Sequence, residues 1–157
     1  MDMKQGGLTL IELIMTVAIL GILAAAVVPF SQMTVKRTKE LELRRTLREV
    51  RSAIDAYKKD YDENVKMKVL NKSGFPEKFE NLVEGDDFKG ALPMKKRYLR
   101  KIPVDPFNPP APGETPKWGM RSSQDKPDST VWGEEDLYDV YSLSEDVAID
   151  GTKYTDW

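Results

Sequence analysis

The sequence predicts an α+β chain in which a long N-terminal helix, membrane-spanning in its first half, packs on a small three-stranded antiparallel sheet. Three observations predict this. Leu8 to Phe30 is an apolar run whose single ionisable side chain is Glu12. After Pro29 the chain stays helix-friendly to about Asn64, with no glycine or proline and an apolar stripe at helical period. The C-terminal third then offers three short segments that alternate or carry aromatics, separated by Gly-, Pro- and Asp-rich turns.

The apolar run comes first. Its roughly 23 residues, rising ~1.5 Å each, cover roughly 35 Å, enough for a ~30 Å hydrocarbon core. Glu12 is the odd residue, because an acid inside a spanning helix costs at least ~2.5 kcal/mol and marks a function. A secretory signal peptide is one reading, with Lys4 as n-region and Ala24-Ala25-Ala26 for the peptidase. The run is longer than the usual ~7–15-residue apolar region, and an acid so near its start suits an export signal poorly. A plain anchor explains the length and leaves Glu12 and the Gly6-Gly7 pair without a purpose. Charge counting does not orient the span: the leader has Lys4 against Asp2, whereas Lys36, Arg37 and Lys39 follow the run.

The second half of the helix carries Leu43, Leu47, Val50, Ile54, Tyr57 and Tyr61 at 4, 3, 4, 3, 4 spacing. That stripe needs a partner surface, and the later strands supply a sheet. The opposite face holds Lys39, Glu42, Arg45, Arg48, Asp55, Lys59 and Asp62, which read as a solvated face. Glu40–Arg44 and Asp55–Lys59 have favourable i,i+4 orientation, worth ~0.2–0.5 kcal/mol each. Gly21 and Pro29 are the places where the helix can weaken or kink.

Residues 65–90 read as a connection. Lys72-Ser73-Gly74-Phe75-Pro76 is turn chemistry. Glu77–Val83 fits a short helix with Phe79, Leu82 and Val83 inward, and Leu92–Leu99 another helical turn. Lys117–Ser122, Leu137–Ser142 and Thr152–Trp157 are the three strand candidates. In the second, Tyr138, Val140 and Ser142 share the face expected to meet the helix.

Composition bounds the function. The 157 residues leave, beyond leader and span, about 120 for a modest core. A net charge of −2 argues against nucleic acid. With no cysteine and no histidine, Cys/His zinc sites, histidine triads and thiol chemistry are excluded. No phosphate-binding glycine loop, serine elbow or paired catalytic carboxylates stand out. Glu134-Glu135-Asp136 reads as a loop, and Trp118, Trp132 and Trp157 as core or interface anchors. The sequence is not that of an enzyme.

Gly6-Gly7-Leu8-Thr9-Leu10-Ile11-Glu12-Leu13 closes a short polar leader with glycine and places Glu12 fifth after it. The segment resembles the type IV prepilin signal shared by type IV pilins and the pseudopilins of type II secretion systems. The relatives most often have phenylalanine where Leu8 stands. The resemblance implies cleavage between Gly7 and Leu8 by a prepilin peptidase on the cytoplasmic face, followed by N-methylation of Leu8. It implies a pilin-like fold with 1–7 as leader, 8–30 as the transmembrane and filament-core helix, and 31–157 as a periplasmic domain. Glu12 would then neutralise the terminal amine of a neighbouring subunit during assembly; a buried charge is tolerable when paired, and stranding either partner costs ~3–5 kcal/mol.

Tyr98-Leu99-Arg100-Lys101-Ile102-Pro103-Val104-Asp105-Pro106-Phe107 is similar to a segment of the major, G-type pseudopilins, although Asn108–Gly113 departs from them as a proline-rich loop. The resemblance implies a structural subunit of a periplasmic pseudopilus that drives type II secretion from the bacterial inner membrane, N-terminus cytoplasmic. Its implied partners are further copies, minor pseudopilins, the prepilin peptidase and the inner-membrane assembly platform. A type IV pilus or DNA-uptake pseudopilus subunit is the alternative, and a membrane-anchored periplasmic binding module lies further off. In G-type relatives the region matching Tyr138–Ser144 opens a calcium loop, and Ser144, Glu145, Asp146 and Asp150 could supply some of the six to eight oxygens calcium takes. The stretch to Thr152 is shorter and poorer in glycine than in the relatives, and it reads first as an acidic solvated turn on Asp150-Gly151.

Overall fold

Helix α1 runs Leu10–Asn64 as one element, passing through Gly21 and Pro29. The computed structural model describes residues 7–64, 73–88 and 94–157, so most of the expected leader and parts of the connection lie outside the described residues. The chain divides into two units, Met1–Thr38 and Lys39–Trp157.

In the first unit the large apolar side chains are exposed among the described residues. Leu10, Ile14, Val17, Ile19, Ile22 and Phe30 are all more than half exposed. Thr16 and Thr34 return their hydroxyls to the carbonyls of Leu13 and Phe30, both at 2.9 Å. A hydroxyl so satisfied within its own helix suits an environment without water.

The second unit is built on the apolar stripe. Leu43, Leu47, Val50, Ile54, Tyr57 and Tyr61 are buried, as their spacing predicts. Against them lie Phe79 and Leu82 of α2 (Phe79–Glu84), then Trp118, Leu137, Val140 and Tyr154. Helix α2 starts on a reciprocal cap, with Lys78 N–H donating to Asn81 Oδ1 at 3.0 Å. Strands β1 (Gly119–Arg121) and β2 (Asp139–Tyr141) pair antiparallel, with Met120 opposite Val140. This gives a long helix packed against a small antiparallel sheet.

The sheet has two strands, not the expected three. Thr152–Trp157 makes one bridge, Lys153 with Val147, and then winds into a 3-10 turn, η1 (Tyr154–Asp156). That turn rolls the Tyr154 ring fully into the core, stacked 4.1 Å from Phe107. A straight strand would leave the Tyr154 and Trp157 rings on opposite faces; here they meet edge-on at 5.1 Å. The helical turn expected over Leu92–Leu99 falls partly outside the described residues. The part described from Met94 is extended: Lys96 bridges Asp86, and the amides of Tyr98 and Leu99 both donate to Leu82 O at 2.9 Å.

The expected facing of the second strand also needs correction. Val140 and Ser142 are fully buried, but Tyr138 is 51 % exposed and Leu137 and Tyr141 are buried instead. Tyr138 precedes β2 and its ring meets Phe75 edge-on at 5.1 Å, outside the core. Of the expected helix pairs, neither forms. Lys59 lies 3.8 Å from Glu63, and Glu40 and Arg44 both reach the C-terminal loop.

Candidate functional site

Two places matter: the start of α1 and the loop between β2 and the C-terminus. At the first, Gly7, Leu8 and Thr9 precede the helix without regular structure, and Leu8 is 72 % exposed. Nothing lies within 4 Å of where a Cβ on Gly7 would be. The Gly7–Leu8 peptide bond therefore lies in exposed chain without regular structure.

Thr9 caps the helix. Its Oγ1 accepts from the Glu12 amide at 3.3 Å, and its carbonyl takes the Leu13 amide at 3.1 Å. Thr9-Leu10-Ile11-Glu12 thus has the spacing of a capping box, in which an acid in the first turn meets the positive end of the helix dipole. Sequence reasoning missed Thr9 as the cap, though the Thr-x-x-Glu spacing is the signal for it. The carboxylate is exposed on a surface otherwise made of Leu10, Ile11, Leu13 and Ile14. An acid on such a surface is available to one cation from outside the chain.

At the second place, Asp150 lies in the turn of a short hairpin bridged at Val147 and Lys153, and Ser144, Glu145 and Asp146 lie in the segment leading into it. Gly151 N–H donates to Ala148 O at 3.0 Å and Ala148 N–H to Thr152 O at 2.7 Å, with Gly151 at φ 87°. A non-glycine residue would be strained there. Ser144 Oγ accepts from the Asp146 amide at 3.3 Å. Asp150 Oδ1 accepts from the amide and hydroxyl of Thr152 at 3.0 and 2.6 Å, and Oδ2 pairs with Arg44 Nη2 at 3.1 Å. Those Thr152 bonds, ahead of Arg44, hold the Asp150 carboxyl below the usual carboxylate range. Among the described residues no group of three or more acids is placed to hold a metal ion.

What binds this loop comes from α1. Glu40 Oε1 accepts from Ile149 N–H at 2.8 Å and Tyr154 Oη at 2.9 Å. Burial, and then the bond to Glu40, push the Tyr154 phenol pKa well up. The Arg44 guanidinium lies 4.0 Å from the Trp157 ring centre, and Trp157 Nε1 donates to Thr152 Oγ1 at 2.7 Å. Two turns further along α1, Arg51 pairs with Asp139 at 2.7 Å and donates to the carbonyls of Val140 and Trp157. The sequence showed Glu40 and Arg44 as a helix pair and gave no sign of their long-range partners.

The model of the prokaryotic N-terminal methylation motif matches residues 2–28. The "Type II secretion system core protein G" of Pseudomonas aeruginosa is 32 % identical over 120 residues, covering 70 % of this chain and 76 % of that protein. No solved structure matches the chain. Helix α1 supplies the stretch that is long and apolar enough to cross a membrane. With that relative it makes the chain a single-pass inner-membrane protein whose C-terminal domain is periplasmic, and a structural protein rather than an enzyme. The chain belongs to the major, core-protein-G family of type II secretion pseudopilins, within the type IV pilin-like superfamily.

Proposed function

We propose that the chain is the structural subunit of a periplasmic pseudopilus that polymerises through its N-terminal helix to drive type II protein secretion. The observation that carries this is a match to the methylation motif over residues 2–28, which enters helix α1 at Leu10, where the large apolar side chains of the first half and its one acid, Glu12, are exposed. In this reading residues 1–7 are a leader, 8–30 the membrane and later filament-core helix, and 31–157 the periplasmic domain. A prepilin peptidase cuts the Gly7–Leu8 bond, and Leu8 is N-methylated.

The physics of assembly follows. In the bilayer the apolar surface of α1 is covered by lipid; leaving the bilayer requires another apolar surface, which further copies provide. Cleavage creates an amine at Leu8, on the positive end of the helix dipole. Glu12 of an adjoining copy answers that charge as both become buried, which fixes the axial offset between subunits. Minor pseudopilins and the inner-membrane assembly platform are the remaining partners.

Glu12→Ala tests the pairing directly. The variant is expected to insert and be processed normally but to enter filaments at a small fraction of the wild-type level, read by shearing and sedimentation. Filaments at the wild-type level would contradict the role of Glu12. The system is tested by deleting the gene. Loss of exported proteins from the medium supports secretion, whereas intact export with loss of piliation or transformation assigns the chain to a surface pilus or DNA-uptake system.

A further inference from the structure

We propose that the loop of residues 143–152 is fastened to α1 by side chains, with Glu40 and Arg44 as its positioning residues, in place of the divalent cation that such a loop takes in G-type relatives. The inference concerns the folded domain and stands whether or not the chain forms a filament.

The donor set does not fit calcium. That ion takes six to eight oxygens at 2.3–2.6 Å, mostly from carboxylates and carbonyls. Both oxygens of Asp150 are already engaged, three hydrogen bonds in all, and Oδ2 faces the Arg44 guanidinium at 3.1 Å. A divalent ion placed on Asp150 would sit beside that fixed positive charge and displace its bonds. Ser144 turns its hydroxyl oxygen to the Asp146 amide. The remaining acids of the loop, Glu145 and Asp146, are exposed and make no three-acid cluster with Asp150 among the described residues.

The work of a cation is done by other groups. A cation would draw the loop's oxygens together and hold the loop on the body. Here Glu40, only 9 % exposed, directs one oxygen at two donors far along the chain, the Ile149 amide and the Tyr154 hydroxyl. A carboxylate that buried is tolerable only when its hydrogen bonds are made, so the loop and the helix acid depend on each other. One helical turn on, Arg44 ties Asp150 to the Trp157 ring, and Trp157 closes the circuit on Thr152. Glu40 and Arg44 are four apart and so lie on the same face of α1.

The test uses the full chain in detergent micelles. Thermal unfolding is followed by near-ultraviolet circular dichroism in EDTA and in millimolar CaCl2, with calorimetric titration of CaCl2 alongside. The wild type is expected to unfold at the same temperature in both buffers and to give no saturable calcium heat. Glu40→Ala is expected to lower the midpoint by roughly 5 °C, with no recovery in calcium, and Glu40→Gln, which keeps the accepting oxygen, to stay near wild type. Should Glu40→Ala fail to fold, Tyr154→Phe takes its place, with an expected drop of roughly 2–4 °C. A saturable calcium heat, a calcium-dependent rise in the wild-type midpoint, or a wild-type midpoint for the chosen variant would each overturn the proposal.

Discussion

Asp136 illustrates how single side chains set the behaviour of the periplasmic unit. Its side chain is buried, and burial alone would raise its pKa. Hydrogen bonds from Ser73, Ser123 and Ser122 outweigh that, and the carboxyl is held below the usual carboxylate range. The Ser123 amide and hydroxyl reach it at 2.8 and 2.7 Å. A depressed folded pKa gives stability that is present above the unfolded value, ~3.9, and lost as pH falls through the folded value. The unfolding midpoint is therefore expected to be nearly flat from pH 7 to about 5 and to fall below about 4. Asp136→Asn should start lower at pH 7 and show a shallower acid decline; parallel curves for variant and wild type would remove Asp136 from the acid transition. From sequence this residue was the third acid of a loop cluster and nothing more. Glu40 was hidden in the same way. Charge on a helix exterior is ambiguous until the partner element is known, and its partners lie 109 and 114 residues away.

Between elements, the contact of α1 with β2 is as much polar as apolar. Asp139 takes both Arg51, at 2.7 Å, and Arg121 of β1, at 3.4 Å, so one carboxylate joins the helix to both strands. Arg51→Met keeps much of the stem packing and removes the bonds to Asp139, Val140 and Trp157. It is expected to cost about 1.5–3 kcal/mol in chemical denaturation, the scale of charged hydrogen bonds in a partly exposed pair. A loss under 0.5 kcal/mol would show the bonds to be replaced by water, as at an exposed ion pair. Inside the sheet, Gly119 faces the Tyr141 ring so closely that a Cβ there would lie 2.3 Å from it. That ring is held by the Arg121 guanidinium stacked at 4.2 Å and by its hydroxyl bond to Thr130 O. Gly119→Ala should therefore destabilise by about 1–3 kcal/mol, measurable in the same denaturation series. Pairing it with Tyr141→Leu should recover part of the loss.

Local period explains what was legible at this scale. The stripe on α1 and the inward face of α2 were readable because burial of a helix leaves a 3.6-residue signature. The third strand was misread because aromatic residues at Tyr154 and Trp157 suit a strand and a 3-10 turn equally. The choice was made by Phe107, a residue almost fifty positions away whose ring receives Tyr154. The side-chain fastening of the 143–152 loop is invisible from sequence for the same reason: its two anchors are ordinary helix-surface charges.

For the whole molecule, one continuous helix serves two solvents. Its first half is exposed and apolar, long enough to cross a membrane; its second half belongs to a core of its own. The N-terminal motif was legible because it is short, dense and local in sequence, so that no tertiary context is needed to see it. The family followed from it together with the Tyr98–Phe107 segment, and the 32 % identity to the Pseudomonas aeruginosa core protein G agrees with that reading. We propose that this chain is made as a prepilin and matured at Gly7–Leu8 before it assembles. The most direct measurement is intact-mass and N-terminal peptide mass spectrometry on protein extracted from its native membrane. The expected chain begins at N-methylated Leu8. A chain that retains Met1, or one that begins near Val27 after signal-peptidase cleavage, would contradict it.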